Sequence, residues 1–236
     1  MLGRALKAMM IAAAVLAGGL PARAGEAGPV VVELFTSQGC AACPPADRML
    51  GELATRDSIL ALSLHVDYWD YLGWEDSFAR SRLTERQRAY ARTRDSGIVY
   101  TPQFVIAGRT RMPGDQPMKL AMVIEEYGGM ETPVSLSLAR DGAGLVLNAT
   151  SEAAFDTPAW VQLVRYDPER TVTIQRGENA GRTARYANVV TSWRRVATWD
   201  GAAPLTLEAA LDGSGQTAVI IQEAGPGPVL AAARLR

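Results

Sequence analysis

Two cysteines separated by two alanines are the residues of this chain whose types and spacing point most directly to chemistry. Cys40 and Cys43 are the only cysteines among the 236 residues. Structural disulfides in secreted proteins usually close long loops, because closing a long loop removes more entropy from the unfolded chain. A bond between Cys40 and Cys43 would close a very short loop, so the spacing favours thiol–disulfide exchange, with a purely structural disulfide as the alternative.

The residues after the pair predict a helix that would activate one of the two thiols. Pro44 and Pro45 suit a first helical turn, where an N–H group is not needed, and Ala46–Ala54 carries apolar residues at helical spacing. A helix N-terminus stabilises an anion, so Cys40, just ahead of the helix, is expected to form the reactive thiolate. Cys43, one turn further on, would be the resolving thiol that releases a mixed disulfide.

Three further residues are predicted to serve the cysteine pair. Thr101-Pro102 enters a strand where thioredoxin-like proteins place a cis-proline against the disulfide, and we expect Pro102 to be cis and to free the preceding backbone for an extended substrate. An ordinary trans proline is the alternative. Glu33 stands seven residues before the first cysteine. A buried carboxylate there would relay a proton to or from Cys43, unless it pairs with Arg48 or another cation.

A metal site is an alternative use of the cysteines. His65 is the only histidine and lies in the second predicted strand, and two thiolates with one imidazole would suit Cu(I). Copper-delivery proteins of the thioredoxin-like type, however, place three residues between their cysteines, and this chain has two. A structural zinc site wants four protein ligands, whereas Cys40, Cys43 and His65 are three. We therefore prefer exchange to copper binding and expect no cofactor.

A thioredoxin-like binding module without catalytic activity is a further alternative. The segment Asp67–Trp74 is rich in aromatic residues and lies in the long connection after the second strand. Such a segment predicts either a packed mini-core or the lining of a site. Trp160, Trp193 and Trp199, in the second half of the chain, are interpreted as core residues.

The elements that would position these residues fall into two halves. The first half alternates strands and helices, which is typical of a sheet covered by helices. Tyr127–Pro133 contains two glycines and a proline and marks a boundary. The second half has short alternating runs spaced by Asp-Gly turns, which favours a β-sandwich. The predicted elements are strands Pro29–Phe35, Ile59–Val66, Gln103–Ala107, Val134–Leu138, Leu145–Leu147, Trp160–Tyr166, Thr171–Ile174, Val189–Val196 and Thr217–Gln222, helices Ala46–Ala54, Thr84–Asp95 and Asp115–Glu126, and turns Asp141-Gly142, Asp200-Gly201 and Asp212-Gly213.

The N-terminus predicts export. Residues 1–24 combine a basic start, the apolar run Met9–Leu20 and a small-x-small cleavage site, which together predict a signal peptide and a mature protein in the periplasm or outside the cell. No later segment has the eighteen or so apolar residues that a membrane span requires. The formal net charge is −1 and acidic residues accompany the arginines, so no nucleic-acid partner is expected.

Five segments together resemble a bacterial secreted thioredoxin-like family, domain of unknown function 1223. They are Val32–Cys40, Cys43–Asp47, His65–Asp70, Tyr100–Gln103 and Asn188–Val190. The resemblance implies a thioredoxin-like fold with a β-rich C-terminal part. Relatives often have serine after the first cysteine, where this chain has alanine, so a hydroxyl that would hydrogen-bond a thiolate is missing.

The fold class expected from pattern and resemblance is an α/β thioredoxin-like N-terminal domain, residues 25–130, followed by an all-β sandwich-like C-terminal domain, residues 131–236. The expected function is that of an exported thiol–disulfide oxidoreductase. Its partners would be protein thiols or disulfides, with a membrane redox partner as a further expectation. The direction of exchange depends on the reduction potential, which two alanines between the cysteines do not indicate.

Overall fold

The computed structural model describes residues 28–93, 97–211 and 213–235, and this part of the chain consists mainly of strands. Strands hold 44% of these described residues and helices 18%. None of the helices in these ranges has the length and apolar composition of a transmembrane span. The predicted signal peptide, residues 1–24, lies outside the described ranges, and so do Asp95 and Asp212, which belong to a predicted helix end and a predicted turn.

The first two strands are buried along their whole length, because they carry mainly aliphatic and aromatic side chains on both faces. β1 (Val30–Thr36) and β2 (Ile59–His65) pair in parallel, and every residue of both is buried. α1 (Pro44–Leu53) connects them and begins with two prolines, whose missing N–H groups cost little in a first turn. This strand–helix–strand unit positions the two cysteines between β1 and α1.

The next elements complete the helical part of the chain. α2 (Ser81–Arg92) and α3 (Pro117–Gly128) enclose a hairpin of β3 (Gln103–Ile106) and β4 (Thr110–Pro113). The hairpin turns at Ala107 and Gly108, whose φ angles are 51° and 66°. Glycine adopts such angles without strain, which explains its place in this turn. The helices and strands expected before residue 130 are present, whereas β4 was not predicted.

The second half of the chain contains only strands among its described elements. The runs predicted at Trp160–Tyr166 and Thr171–Ile174 belong to a single strand of 15 residues, and the next strand has 17. Two of the strands were not predicted, Leu205–Ala210 and Val229–Arg234. The strands are β5 (Val134–Asp141), β6 (Gly144–Ser151), β7 (Ala159–Thr173), β8 (Thr183–Trp199), β9 (Leu205–Ala210), β10 (Gln216–Glu223) and β11 (Val229–Arg234).

The expected fold class, an α/β thioredoxin-like N-terminal domain followed by an all-β sandwich-like C-terminal domain, is wrong. Eight strands from both halves form one mixed sheet in the order β11-β10-β7-β8-β2-β1-β3-β4, and β5, β6 and β9 form a second, three-stranded sheet. The described residues show no separate thioredoxin-like domain. The physical reason is the pairing of β8 with β2, in parallel at Val189 and Ser63, which makes the two halves continuous.

The proposed boundary between residues 130 and 131 falls in the connection from α3 to β5. The two sides of this boundary share the large sheet, since β2 and β8 come from different sides. The division into domains at residues 25–130 and 131–236 therefore stays a prediction about independent folding.

Both faces of the large sheet are covered. α2 packs on one face through Leu83 and Tyr90. α1 and α3 pack on the opposite face, against a cluster that contains Leu50 and Leu120. The small sheet covers the part of the large sheet formed by β7, β10 and β11, where Trp199 is buried as predicted for a core residue. Burial on both faces explains why β1 and β2 are mainly apolar.

A buried ion pair lies between α2 and the sheet. Arg86 Nε and Nη2 donate to the two carboxylate oxygens of Glu33, at 2.5 and 2.9 Å, and Tyr90 OH donates to the same carboxylate at 2.6 Å. The guanidinium also donates to Gln222 Oε1 at 3.0 Å and lies 3.8 Å from the centre of the Trp193 ring. The network joins α2, β1, β8 and β10, so it fixes the helix relative to strands from both halves of the chain.

Removing the Arg86 cation from this network should lower the stability of the fold. We expect Arg86→Met to lower the free energy of unfolding by about 3–5 kcal/mol in urea denaturation, because it leaves the buried Glu33 carboxylate unpaired. The exposed neighbour Arg88→Met is the matched control and should change stability by less than about 0.5 kcal/mol. The double variant Glu33→Gln/Arg86→Met should be more stable than Arg86→Met alone. A double variant no more stable would assign the loss to packing instead of charge.

Candidate functional site

The two cysteines are joined by a disulfide in the turn between β1 and α1. Their Cα atoms are 5.4 Å apart. Cys40 N donates to Ser37 O at 3.1 Å and Cys43 N donates to Cys40 O at 3.2 Å, so consecutive turns fold the segment tightly. Cys40 retains an exposed fraction of 3%, whereas Cys43 has none. Cys40 is therefore the more accessible of the two cysteines, and it is the one that the sequence predicts to form the reactive thiolate.

The helix N-terminus offers fewer N–H donors than the sequence argument assumed. α1 begins at Pro44, and Cys43 is its N-cap. A helix leaves its first four N–H groups without helical partners. Here Pro44 and Pro45 have no N–H, and Cys43 N is bonded to Cys40 O, which leaves Ala46. Stabilisation of a thiolate at this end therefore depends mainly on the helix dipole, with little direct hydrogen bonding.

Pro102 lies against the first turn of α1. The Thr101–Pro102 peptide bond is cis, as predicted. A Cβ atom placed on Gly114 would come within 2.7 Å of Pro102 Cβ and 2.9 Å of Ala46 Cβ, so Gly114 lies close to both residues. Ala46 is three residues from Cys43, which places the predicted proline beside the disulfide-bearing segment.

Thr101 is connected to the cysteine turn through an aromatic side chain. Trp69 Nε1 donates to Thr101 Oγ1 at 2.7 Å. The Cβ atom of Trp69 would lie 3.3 Å from a Cβ placed on Gly39, the residue before Cys40. The aromatic segment packs as one of the two expectations had it, because Tyr68 and Trp69 lie against the buried cluster on the α2 side of the sheet. Trp69 also borders the cysteine turn.

Glu33 is not brought together with the cysteines. It alternates with Val32 and Leu34, which pack in the cluster under α1 and α3, so its side chain lies on the opposite face, under α2. Its carboxylate is held there by Arg86, the cation-pairing role that was the alternative to proton relay. Of the cations allowed by that alternative, Arg48 or another, the partner is Arg86.

A different carboxyl group lies on the cysteine side of the sheet. Asp47 follows Cys43 by four residues in α1, and residues at this spacing share a helix face. Its side chain is buried, and Thr36 Oγ1 donates to Asp47 Oδ1 at 2.7 Å. Sequence analysis did not single out Asp47, although its spacing from Cys43 was the available signal.

His65 is buried near the Asp47 carboxyl group. His65 Nδ1 lies 2.7 Å from Asp76 Oδ2, and the ring makes an edge contact with Tyr186 at 4.6 Å between centres. The Nε2 atom has no hydrogen-bond partner among the described residues. In the described ranges no group of three His, Cys, Asp or Glu side chains is arranged to hold a metal ion, so no observation favours the copper alternative with Cys40 and Cys43.

Asn179 holds the cysteine turn from the other half of the chain. Its Nδ2 atom donates to Gln38 O at 3.0 Å and to Cys40 O at 2.9 Å. Asn179 lies in the connection between β7 and β8, 139 residues after Cys40. No local pattern marks such a residue, because its partners are backbone carbonyls far away in the sequence. It is the clearest case of a site residue that sequence analysis missed.

The family of the chain follows from a match over most of its length. The family described as protein of unknown function (DUF1223) matches residues 31–222, which include every residue of the site described above. The chain belongs to the DUF1223 family. The family expected from the sequence is therefore confirmed, while secretion of this DUF1223 protein remains a prediction.

Two solved structures are similar to the DUF1223 protein. The crystal structure of protein AGR_C_4864 from Agrobacterium tumefaciens has a TM-score of 0.76 and 33% identity, over 90% of this chain and 96% of that one. HBP35 of Porphyromonas gingivalis has a TM-score of 0.63 and 16% identity, over 90% of this chain and 76% of that one, a likeness of fold alone. No curated protein matches the chain.

Burial sets the electrostatics of the DUF1223 site. Burial raises the pKa of Asp47 from 3.8 to about 7, and the hydrogen bond from Thr36 opposes this rise in part. The nearby Tyr186 hydroxyl also has a raised pKa, first because it is buried and then because the Asp47 and Asp76 carboxyl groups face it. A carboxyl group that titrates near neutral pH beside a cysteine pair can hold or release a proton under physiological conditions.

Neutralising Asp47 should change how stability depends on pH. The folded protein keeps the Asp47 proton up to a pH of about 7, whereas the unfolded chain releases it near 3.8. The wild type therefore loses stability from this group as the pH rises between these values, by up to about 4 kcal/mol. We expect Asp47→Asn to unfold at higher urea concentration than the wild type at pH 8, with the difference shrinking towards zero near pH 4.

The control for this measurement is Glu52→Gln, an exposed carboxyl group on the same helix. Its stability difference from the wild type should stay within about 0.5 kcal/mol across the same pH range. A difference between Asp47→Asn and the wild type that does not vary with pH would contradict the raised pKa.

Proposed function

We propose that the DUF1223 protein is a thiol–disulfide oxidoreductase whose redox pair is Cys40 and Cys43. The observation that carries the proposal is the disulfide itself, which joins two cysteines three positions apart at the start of α1. A bridge over so short a loop adds little to the stability of a chain with large buried clusters, so a structural role explains it poorly. Redox chemistry explains both the spacing and the position at a helix N-terminus.

The reaction would begin at the sulfur of Cys40. A thiolate of the partner protein attacks Cys40 Sγ, the Cys40–Cys43 bond breaks, and Cys43 leaves as a thiolate that takes up a proton. A second partner thiolate then attacks the partner's own sulfur in the mixed disulfide and releases Cys40. The partner loses two electrons and the cysteine pair gains them. The reverse sequence reduces a partner disulfide, and the relative reduction potentials decide the direction.

Asp47 is suited to supply the proton for Cys43. Cys43 is the N-cap of α1, Asp47 follows it by four residues, and both side chains are largely buried. With its pKa raised to about 7 by burial, Asp47 is partly protonated at neutral pH and can return to the anion without a large penalty. Glu33, under the opposite face of the sheet, is not suited to this role.

The surroundings of the pair support docking of an extended partner segment. Ala41 and Ala42 are exposed between the buried cysteines, so a partner backbone can approach without meeting bulky side chains. Thr101 and Pro102 lie near the same region: Thr101 accepts a hydrogen bond from Trp69, which lies beside Gly39, and Pro102 lies near Gly114, which also approaches Ala46. We assign Thr101 and Pro102 to substrate positioning, and Cys40 and Cys43 to catalysis.

The proposed location is the periplasm or the exterior of the cell. The predicted signal peptide at residues 1–24 supports it, and so does a disulfide, because such bonds persist in oxidising compartments. In that setting the substrates are protein thiols or disulfides, and a membrane redox partner would restore the pair after each cycle.

Trapping of partner proteins tests the proposal. Cys43→Ala keeps the Cys40 thiol, which can attack a partner disulfide, and removes Cys43, which would release the partner. The variant should therefore accumulate mixed disulfides with exported proteins when expressed in a bacterium that exports it. Non-reducing gels of rapidly alkylated cells should show these adducts, which disappear on reduction.

The matched control is Cys40→Ala, which retains the fully buried Cys43 and should trap at least tenfold less. Equal trapping by the two variants would reverse or abolish the assigned roles. If neither variant forms adducts while wild-type Cys40 and Cys43 remain fully oxidised under all growth conditions, the disulfide is structural.

A further inference from the structure

A cavity of about 500 Å³ lies beside the N-terminal turn of α1, facing the start of β8. Its volume falls within the range of roughly 300–1,000 Å³ that is typical of small-ligand sites. Pro44, which follows Cys43 directly, forms part of its wall, and so does Asn179, which hydrogen-bonds Cys40 O. The cavity therefore shares a wall with the cysteine turn.

One residue of the wall, Asn179, is fixed to the cysteine turn. Asn179 is 3% exposed, and its Oδ1 atom accepts no hydrogen bond from the described residues. Its orientation is fixed, because Nδ2 donates to two backbone carbonyls and the flipped amide would place oxygen against both. A ligand held in the cavity would therefore lie next to the cysteine turn, because Asn179 belongs to both.

The rim of the cavity carries positive charge. Arg48 and Arg182 are exposed there, and neither has a carboxylate within 4.0 Å among the described residues. Guanidinium groups bind carboxylates with two parallel hydrogen bonds. Asp47 also lines the cavity, but burial raises its pKa to about 7, so it opposes an anion less than an ordinary carboxylate would.

We propose that this cavity is the substrate subsite of the exchange reaction and binds an acidic peptide segment next to the reacting cysteine. The carboxylate of the peptide pairs with Arg48 and Arg182 at the rim, and Asn179 holds the wall of the cavity against the cysteine turn. The inference rests on the proposed function for its role, but the binding itself requires no redox chemistry. A free acidic thiol peptide and an acidic segment of a protein offer the same groups.

Equilibrium binding of unreactive peptides to the oxidised protein tests the inference separately from the exchange reaction. The probes are the capped peptide Ac-Asp-Ser-Gly-NH2, its neutral analogue Ac-Asn-Ser-Gly-NH2, and S-methylglutathione, which has free carboxylates. By titration calorimetry or NMR we expect saturable binding of an acidic probe at least fivefold tighter than that of the neutral peptide, and weakening by salt. Preference for the capped peptide assigns the subsite to protein segments, and preference for S-methylglutathione alone assigns it to free thiol peptides.

The variant Arg48→Gln/Arg182→Gln should remove the preference for acidic probes, since both changes lie on the surface and leave the buried clusters intact. Arg176→Gln is the matched control, an exposed arginine in the same connection that does not line the cavity, and it should keep the preference. Equal binding of acidic and neutral probes, or no saturable binding of any probe, would overturn the subsite. Either result would leave the trapping experiment with Cys43→Ala valid as the test of the exchange reaction.

Discussion

The parallel pairing of β8 with β2 is the constraint on which the rest of the structure depends. Val189 lies opposite Ser63, and the side chain of Asn188 donates to Ala61 O at 2.8 Å, so the contact is fastened by both backbone and side chain. This pairing turns the start of β8 towards α1. It thereby places Tyr186 against His65 and allows Asn179, in the preceding connection, to bond the cysteine turn. The site is assembled from two distant parts of the chain because one strand pair joins them.

Two buried carboxyl groups show how the fold separates structural from chemical roles. Glu33 receives two hydrogen bonds from Arg86 and one from Tyr90, so its charge is compensated and its position is fixed. Asp47 receives a hydroxyl hydrogen bond from Thr36 and has no cation at hydrogen-bond distance within the described ranges, and burial raises its pKa to about 7. An acid left in this state lowers stability at neutral pH. Retaining it one turn from Cys43 is understandable if its proton is used.

The sequence predicted what depends on neighbouring residues. Three local signals each predicted the feature that the structure shows: the apolar run predicted β1, the two prolines predicted the start of α1, and the cysteine spacing predicted a bonded pair. The face on which Glu33 lies was not predictable, because it depends on the register of a sheet buried on both sides, where apolar residues do not distinguish the faces. Asn179 was not predictable either, since its partners are backbone carbonyls without a sequence signature.

The error in the fold class has the same physical origin. Alternating runs separated by Asp-Gly turns indicate strands, but an edge strand of one sheet and a strand of a neighbouring sheet have the same pattern. If the first half formed a separate domain, β2 would be an edge strand that carries the apolar residues Leu60, Leu62 and Leu64. Exposed apolar edge strands promote aggregation. In the large sheet β8 lies beside that edge and pairs with it at Ser63 and Val189. The same arrangement brings Tyr186 of β8, and Asn179 in the connection before it, to the cysteine site. The second half of the chain is thus a wall of the proposed reaction site, which explains why the fold joins the two halves in one sheet.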